Sequence, residues 1–188
     1  MRIVVLALTL IAIFASPAFA HPGPDHAHSF ADGVLHPLTG ADHVFTMASV
    51  GLWATIGGGR AIWVWPTTFM GAMLAGFAAA LFGPQISFAE PAITASIVVL
   101  GLLVAVRAKA PFMLGAAIIG FFAFFHGHAH GTEAAGASLV PYAAGFTFST
   151  AMLHAAGIGL GLSMRSVAQR IALAPAGMRR AVHGDGGP

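Results

Sequence analysis

His36-Pro37-Leu38-Thr39-Gly40-Ala41-Asp42-His43 sets two imidazoles and one carboxylate inside an otherwise apolar run. A second polar run, His126-Gly127-His128-Ala129-His130-Gly131-Thr132-Glu133, closes another apolar segment. Ionisable groups are expensive in a bilayer, so those found there face a partner, a cavity or an ion path. The two runs are therefore expected to converge and to hold a divalent metal ion on its way across a membrane.

Composition agrees with a membrane setting. Of 188 residues, 57% are hydrophobic and only 7% charged, against about a quarter charged in soluble domains. Several apolar stretches approach the length of a bilayer span. The expected fold class is all-α, a polytopic membrane helix bundle of about five transmembrane helices after a cleaved N-terminal signal peptide. The basic residues are few and scattered, so no nucleic-acid partner is expected. There is no cysteine, which removes thiolate sites, disulfides and cysteine catalysis. Any metal must then be held by nitrogen and oxygen, with a Met thioether as the one soft option.

Residues 1–20 read as a secretory signal: Arg2, an apolar core from Ile3 to Phe14, and the small-residue site Ala18-Phe19-Ala20. Cleavage would leave His21 as the mature N-terminus, outside the cytoplasm. Residues 21–32 form a polar outer leader in which His21, His26 and His28 could gather metal loosely. Residues 33–164 hold the five spans, and residues 165–188 a basic cytoplasmic tail.

The first span runs roughly from Gly33 to Ile56. Pro37 disfavours helix at His36, and Thr39-Gly40-Ala41-Asp42 fits a capping box loosely. A break there is expected, with a restart near Thr39, as tolerated where a helix lines a cavity. The second span, about Ile62 to Phe82, follows the tight loop Gly57-Gly58-Gly59-Arg60. Trp63 and Trp65 are placed as interfacial anchors. Gly71, Ala72, Ala75, Gly76 and Ala79 are placed at close helix contacts, and Met70 and Met73 are read as packing residues.

The third span, about Phe88 to Val106, opens with Glu90-Pro91. Glu90 suits both a helix-end carboxylate and an acid at the outer mouth of the path. The fourth span runs from about Pro111 to His130, with Phe121, Phe122, Phe124 and Phe125 facing lipid or core. The fifth runs from about Tyr142 to Leu162 and holds one ionisable residue, His154, with Thr150 one turn away as its partner.

Charge sets the orientation. With the N-terminus outside, Arg60, Arg107 and Lys109 fall in inner loops and Arg165, Arg170, Arg179 and Arg180 in the tail, as the positive-inside rule requires. Asp25, Asp32, Asp42, Glu90 and Glu133 fall on the outer side, where a negative vestibule would concentrate cations. This places the protein in a bacterial inner membrane with a periplasmic N-terminus and a cytoplasmic C-terminus.

His126, His130 and Glu133, spaced by four and three, share one helical face, and His128 points nearly opposite. His36, Asp42 and His43 offer a matching set at the same depth. The candidate metal ligands are therefore His36, Asp42, His43, His126, His130 and Glu133. Glu90, His128, His154 and His21 are secondary candidates along the pathway. Mixed imidazole and carboxylate donors suit nickel, cobalt, zinc or copper(II) better than magnesium or calcium. Lys109 lacks a Walker A glycine pattern, so no nucleotide is expected, and movement follows a gradient or is coupled to protons.

HPLTGADH followed by Met47, together with FHGHAHGTE, resembles the signatures of the HupE/UreJ family, and the resemblance covers essentially the whole chain. It implies a secondary permease for nickel, sometimes cobalt, that feeds hydrogenase or urease maturation. It implies no enzyme activity and no catalytic cofactor, the metal being cargo. It also implies a ligand role for His36, Asp42, His43, His130 and Glu133, with His126 alongside. The competing readings are an intramembrane metallohydrolase, for which there is no H-E-x-x-H motif, a metal sensor or chaperone built on the leader, and a structural protein whose polar residues only join helices. Oligomeric state is not legible in the sequence.

Overall fold

A computed structural model of the chain describes residues 29–134 and 138–173. The expected signal, the leader through residue 28 with His21, and the tail beyond residue 173 lie outside the described residues. The described chain is all helical: α1 Phe30–Thr39, α2 Ala41–Gly57, α3 Ala61–Phe82, α4 Ala89–Ala105, α5 Phe112–Glu133 and α6 Leu139–Leu173. Three of these, α3, α5 and α6, are long and apolar enough to cross a bilayer, and α4 is a shorter apolar helix. Large apolar side chains such as Trp63, Phe82, Phe121 and Met152 stand exposed on the outer surface. Lipid solvates such groups at no cost, whereas water would not.

The expected break in the first span is present but is built differently. Pro37 lies inside α1, His36 stays helical, and the chain leaves the helix at Gly40, φ −84°, ψ 113°. The Gly40 N–H donates to the His36 carbonyl at 3.3 Å, and the Gly40 carbonyl accepts the first bond of α2 from Val44 at 3.0 Å. No side chain caps α2. The Thr39 hydroxyl turns back to the carbonyls of Leu35 and His36 instead of capping forward. The cap appears earlier, where Ser29 Oγ accepts from the Asp32 N–H at 3.1 Å. The helix therefore starts at Phe30, inside the stretch expected to be leader.

Backbones approach closely where a glycine faces a carbonyl. A Cβ on Gly33 would meet the Tyr142 carbonyl, and one on Gly145 the Phe30 carbonyl, which joins α1 to α6. Gly51 and Gly157 play the same part between α2 and α6. Gly76 against Phe124 and Gly127 against Met73 lock α3 to α5. Van der Waals contact of this kind is the main force between helices in lipid, which lacks a hydrophobic drive. Of the small residues expected on α3, Gly76 makes this contact, whereas Gly71 meets nothing within 4 Å and Ala75 is exposed. The packed face is that of Met73, Gly76, Phe77 and Ala80, because the partner α5 lies on that side.

Trp65 also departs from its expected place. It is buried, and its indole N–H donates to the Phe112 carbonyl at 3.1 Å. Its ring lies 4.6 Å from that of Trp53, whose own N–H donates to Ala108. Trp63, at 72% exposure, keeps an outward position. The loop at Gly58 and Gly59 has positive φ at both glycines, the conformation that glycine adopts without steric cost. Finally, α5 runs on through Glu133 and α6 through Leu173, beyond the expected ends.

Gly127→Ala should cost about 1–3 kcal/mol by overpacking against the Met73 carbonyl. Gly71→Ala should be neutral or slightly stabilising, since Ala is the better helix former. Thermal unfolding of the two purified variants in detergent checks the contrast.

Candidate metal centre

The break at Gly40 brings both ends of the first motif to one point. His36 ends α1 and His43 begins α2, and their ring centroids are 5.3 Å apart. α5 supplies His130, 4.7 Å from His36 and 5.0 Å from His43. One nitrogen from each of these three residues falls within 4.8 Å of the others, and all three are buried. Ligand nitrogens about 2.0–2.1 Å from a metal stand roughly 3.3 Å apart in a tetrahedron. The three nitrogens therefore sit close enough together to close on one ion.

The carboxylates flank this trio. Asp42 Oδ1 lies 3.0 Å from His43 Nδ1. The contact is an ion pair beside the ring nitrogen that lacks hydrogen-bond geometry. Gly40 makes room for this pair, since a Cβ there would lie 2.8 Å from both Asp42 Oδ1 and His43 Nδ1. On the far side, Glu133 Oε2 is 3.4 Å from His36 Nε2. Glu133 is 17% exposed at its side chain, which leaves it the more accessible of the two acids.

His126 lies one turn deeper on α5 and is fully buried, with its ring 5.3 Å from that of His43. Its Nδ1 is 3.0 Å from the Phe122 carbonyl. A carbonyl only accepts, so Nδ1 carries the proton and Nε2 presents a lone pair. Among the described residues, that buried Nε2 has no hydrogen-bond partner. Such an atom costs about 1–3 kcal/mol to leave unpaired.

Of the remaining candidates, His128 and His154 lie apart from the trio, whereas Glu90 is near enough to Glu133 for the two carboxylates to interact electrostatically. His128 is buried on the other side of α5, with Nε2 3.4 Å from the Pro84 carbonyl. Glu90 lies in the first turn of α4 and is exposed. His154 is buried on α6 beside Phe69, with ring centroids 5.0 Å apart. Its expected partner Thr150 donates instead to Met73 Sδ at 3.8 Å, because the hydroxyl faces α3. Met73 is fully buried, in keeping with a packing role.

Two residues beyond the polar motifs complete the walls. Phe146 stacks on His130, centroids 4.6 Å apart and 6° between planes. Tyr142 meets the rings of both His36 and His130 edge-on. Tyr142 is the chain's one tyrosine, at the start of the last apolar run, and that isolation was the available signal. Nothing comparable marks Phe146 among fifteen phenylalanines.

Broken helix, buried imidazole trio and flanking acids together define a helical membrane protein with a polar centre built between its first and fourth apolar segments. The chain belongs to the HupE/UreJ protein family, which it matches over residues 8–185. It is 40% identical over 157 residues to Protein HupE of Rhizobium leguminosarum bv. viciae, 81% of each chain being covered. No solved structure matches it.

The His126–Phe122 contact has a direct spectroscopic consequence. In protein labelled with ¹⁵N-histidine, His126 should give the Nδ1–H, Nε2-unprotonated pattern at neutral pH, assigned by its loss in His126→Gln. An Nε2–H pattern would mean that the lone pair points elsewhere.

Proposed function

We propose that the protein is a secondary permease that carries divalent nickel across the inner membrane into the cell, for maturation of a nickel enzyme such as hydrogenase or urease. The carrying observation is the convergence of His36, His43 and His130 on one buried point. Three imidazoles with two acids at hand form a donor set for late first-row divalent ions. Membership of the HupE/UreJ family favours nickel, with cobalt as the second substrate.

In this reading the acidic outer ends of the helices, with Glu90 exposed at the start of α4, raise the local concentration of cations. Glu133 meets the ion first and passes it to the trio, where imidazole replaces water in its shell. His126 waits one turn deeper. Asp42 acts through His43, holding its ring in place. Ligands must be unprotonated to bind, so movement of metal inward is naturally linked to movement of protons. In this reading α1 and α2 together form the first of five crossings, and the site lies in the outer half of the membrane.

Cells expressing the protein should accumulate radioactive nickel, with cobalt the strongest competitor and zinc and copper weaker. His43→Ala and Glu133→Gln should nearly abolish uptake at unchanged protein abundance. Asp42→Asn should lower it by about 10–100-fold, the usual range for a group that orients a ligand. Uptake equal to wild type in His43→Ala would remove the proposed route.

A further inference from the structure

The metal cluster does not account for His154. It is 1% exposed on α6, and among the described residues neither of its ring nitrogens has a hydrogen-bond partner. Buried polar groups are nearly always paired, so an exception calls for a reason. A leucine would fill such a site without that cost. The neighbours of His154 supply the reason.

Several contacts set its depth. On α6, Phe146 stacks on His130 of the trio and also meets Phe77 of α3, with centroids 5.2 Å apart. Eight residues further along α6 lies His154, and eight residues back along α3 lies Phe69, and these two rings touch. Eight residues of helix amount to about 12 Å. The same spacing appears on α2, where Gly51 packs against the His154 carbonyl, eight residues beyond His43. Three helices thus place His154 about two turns deeper than the trio.

Phe69 connects this level to the one above. Its ring lies 5.7 Å from that of His126 and 5.0 Å from that of His154. The donors therefore descend in order: the trio, then His126 with its unpaired Nε2, then His154 with two unpaired nitrogens. One apolar ring touches both of the deeper imidazoles.

We propose that His154 is a transit ligand for the divalent ion on the inner side of the Phe69 ring, which the ion passes after leaving His126. This rests on the permease reading and extends it inward. The outer cluster strips the ion of water, and His154 gives it a donor at the depth where the outer ligands can no longer reach. Phe69 separates the two levels, so the ion is not exposed to both sides at once. A side-chain rotation at Phe69, one helical turn from the buried and flexible Met73, is the motion that the passage needs.

The test uses two substitutions in the full-length protein. His154→Leu keeps bulk but has no lone pair. It should lower radioactive nickel uptake by about tenfold or more, the scale expected for a lost metal donor. Abundance should stay at the wild-type level, and nickel binding to the purified protein should be unchanged because the outer cluster is intact. His154→Cys offers a thiolate in a chain that otherwise has no cysteine. Added Co²⁺ should then produce a near-ultraviolet thiolate-to-cobalt charge-transfer band that wild type lacks.

Wild-type uptake in His154→Leu, or no such band in His154→Cys while Co²⁺ fills the outer cluster, would overturn the proposal. If His154→Leu fails to accumulate, the cobalt band alone decides. If wild type itself neither binds nor imports nickel or cobalt, the permease reading fails instead, and the two failures are thereby distinguished.

Discussion

The structure turns on the cost of placing imidazoles and carboxylates where water cannot reach them. In an apolar interior an unpaired polar group is penalised heavily, and a charged one more so. Here that cost is met only in part by mutual placement, since among the described residues His126 Nε2 and both His154 nitrogens keep no hydrogen-bond partner. Asp42 backs His43, Glu133 reaches His36, and the Phe122 carbonyl holds His126. What these contacts leave is a set of nitrogens directed at a common volume. A bundle selected for stability alone would replace them with apolar side chains, since breaking even for buried ions is difficult.

Helix packing makes that placement possible. α1 and α2 together lie along α6, while α3 and α5 form a second tight pair. Each contact is closed by glycines whose missing side chains let one backbone rest on another. The glycines at Gly127 and Gly131 sit among the histidines of α5, so the small residues that seat α5 on α3 alternate with the donors that α5 presents to α2. Within this run Gly127 and Gly131 pack against α3, His126 and His130 face His43 of α2, and His128 turns away to the Pro84 carbonyl.

Much of this was legible in the sequence. The all-helical class followed from composition, and the meeting of the two motifs followed from four-and-three spacing on α5 and from the polar groups in the first span. The break near Gly40 was also legible, though for partly wrong reasons. Pro37 lies inside α1, and the Thr39–Asp42 box does not form, because Thr39 finds carbonyls one turn back. Asp42 and His43 take up the space that glycine leaves. Which face of α3 packs, and that Trp65 turns inward, depended on where α5 and the Phe112 carbonyl lie. One-dimensional spacing does not carry that information. The same holds for Phe69 and Phe146, ordinary phenylalanines whose roles exist only through the imidazoles beside them.

The central claim is that His36, His43 and His130 close on one metal ion. X-ray absorption at the nickel edge of purified, nickel-loaded protein tests it most directly. The account predicts a shell containing the imidazoles of these three residues, seen by their outer-ring scattering and lost when His43 and His130 are replaced together. A shell of oxygen donors alone, or one identical in that double variant, would contradict it.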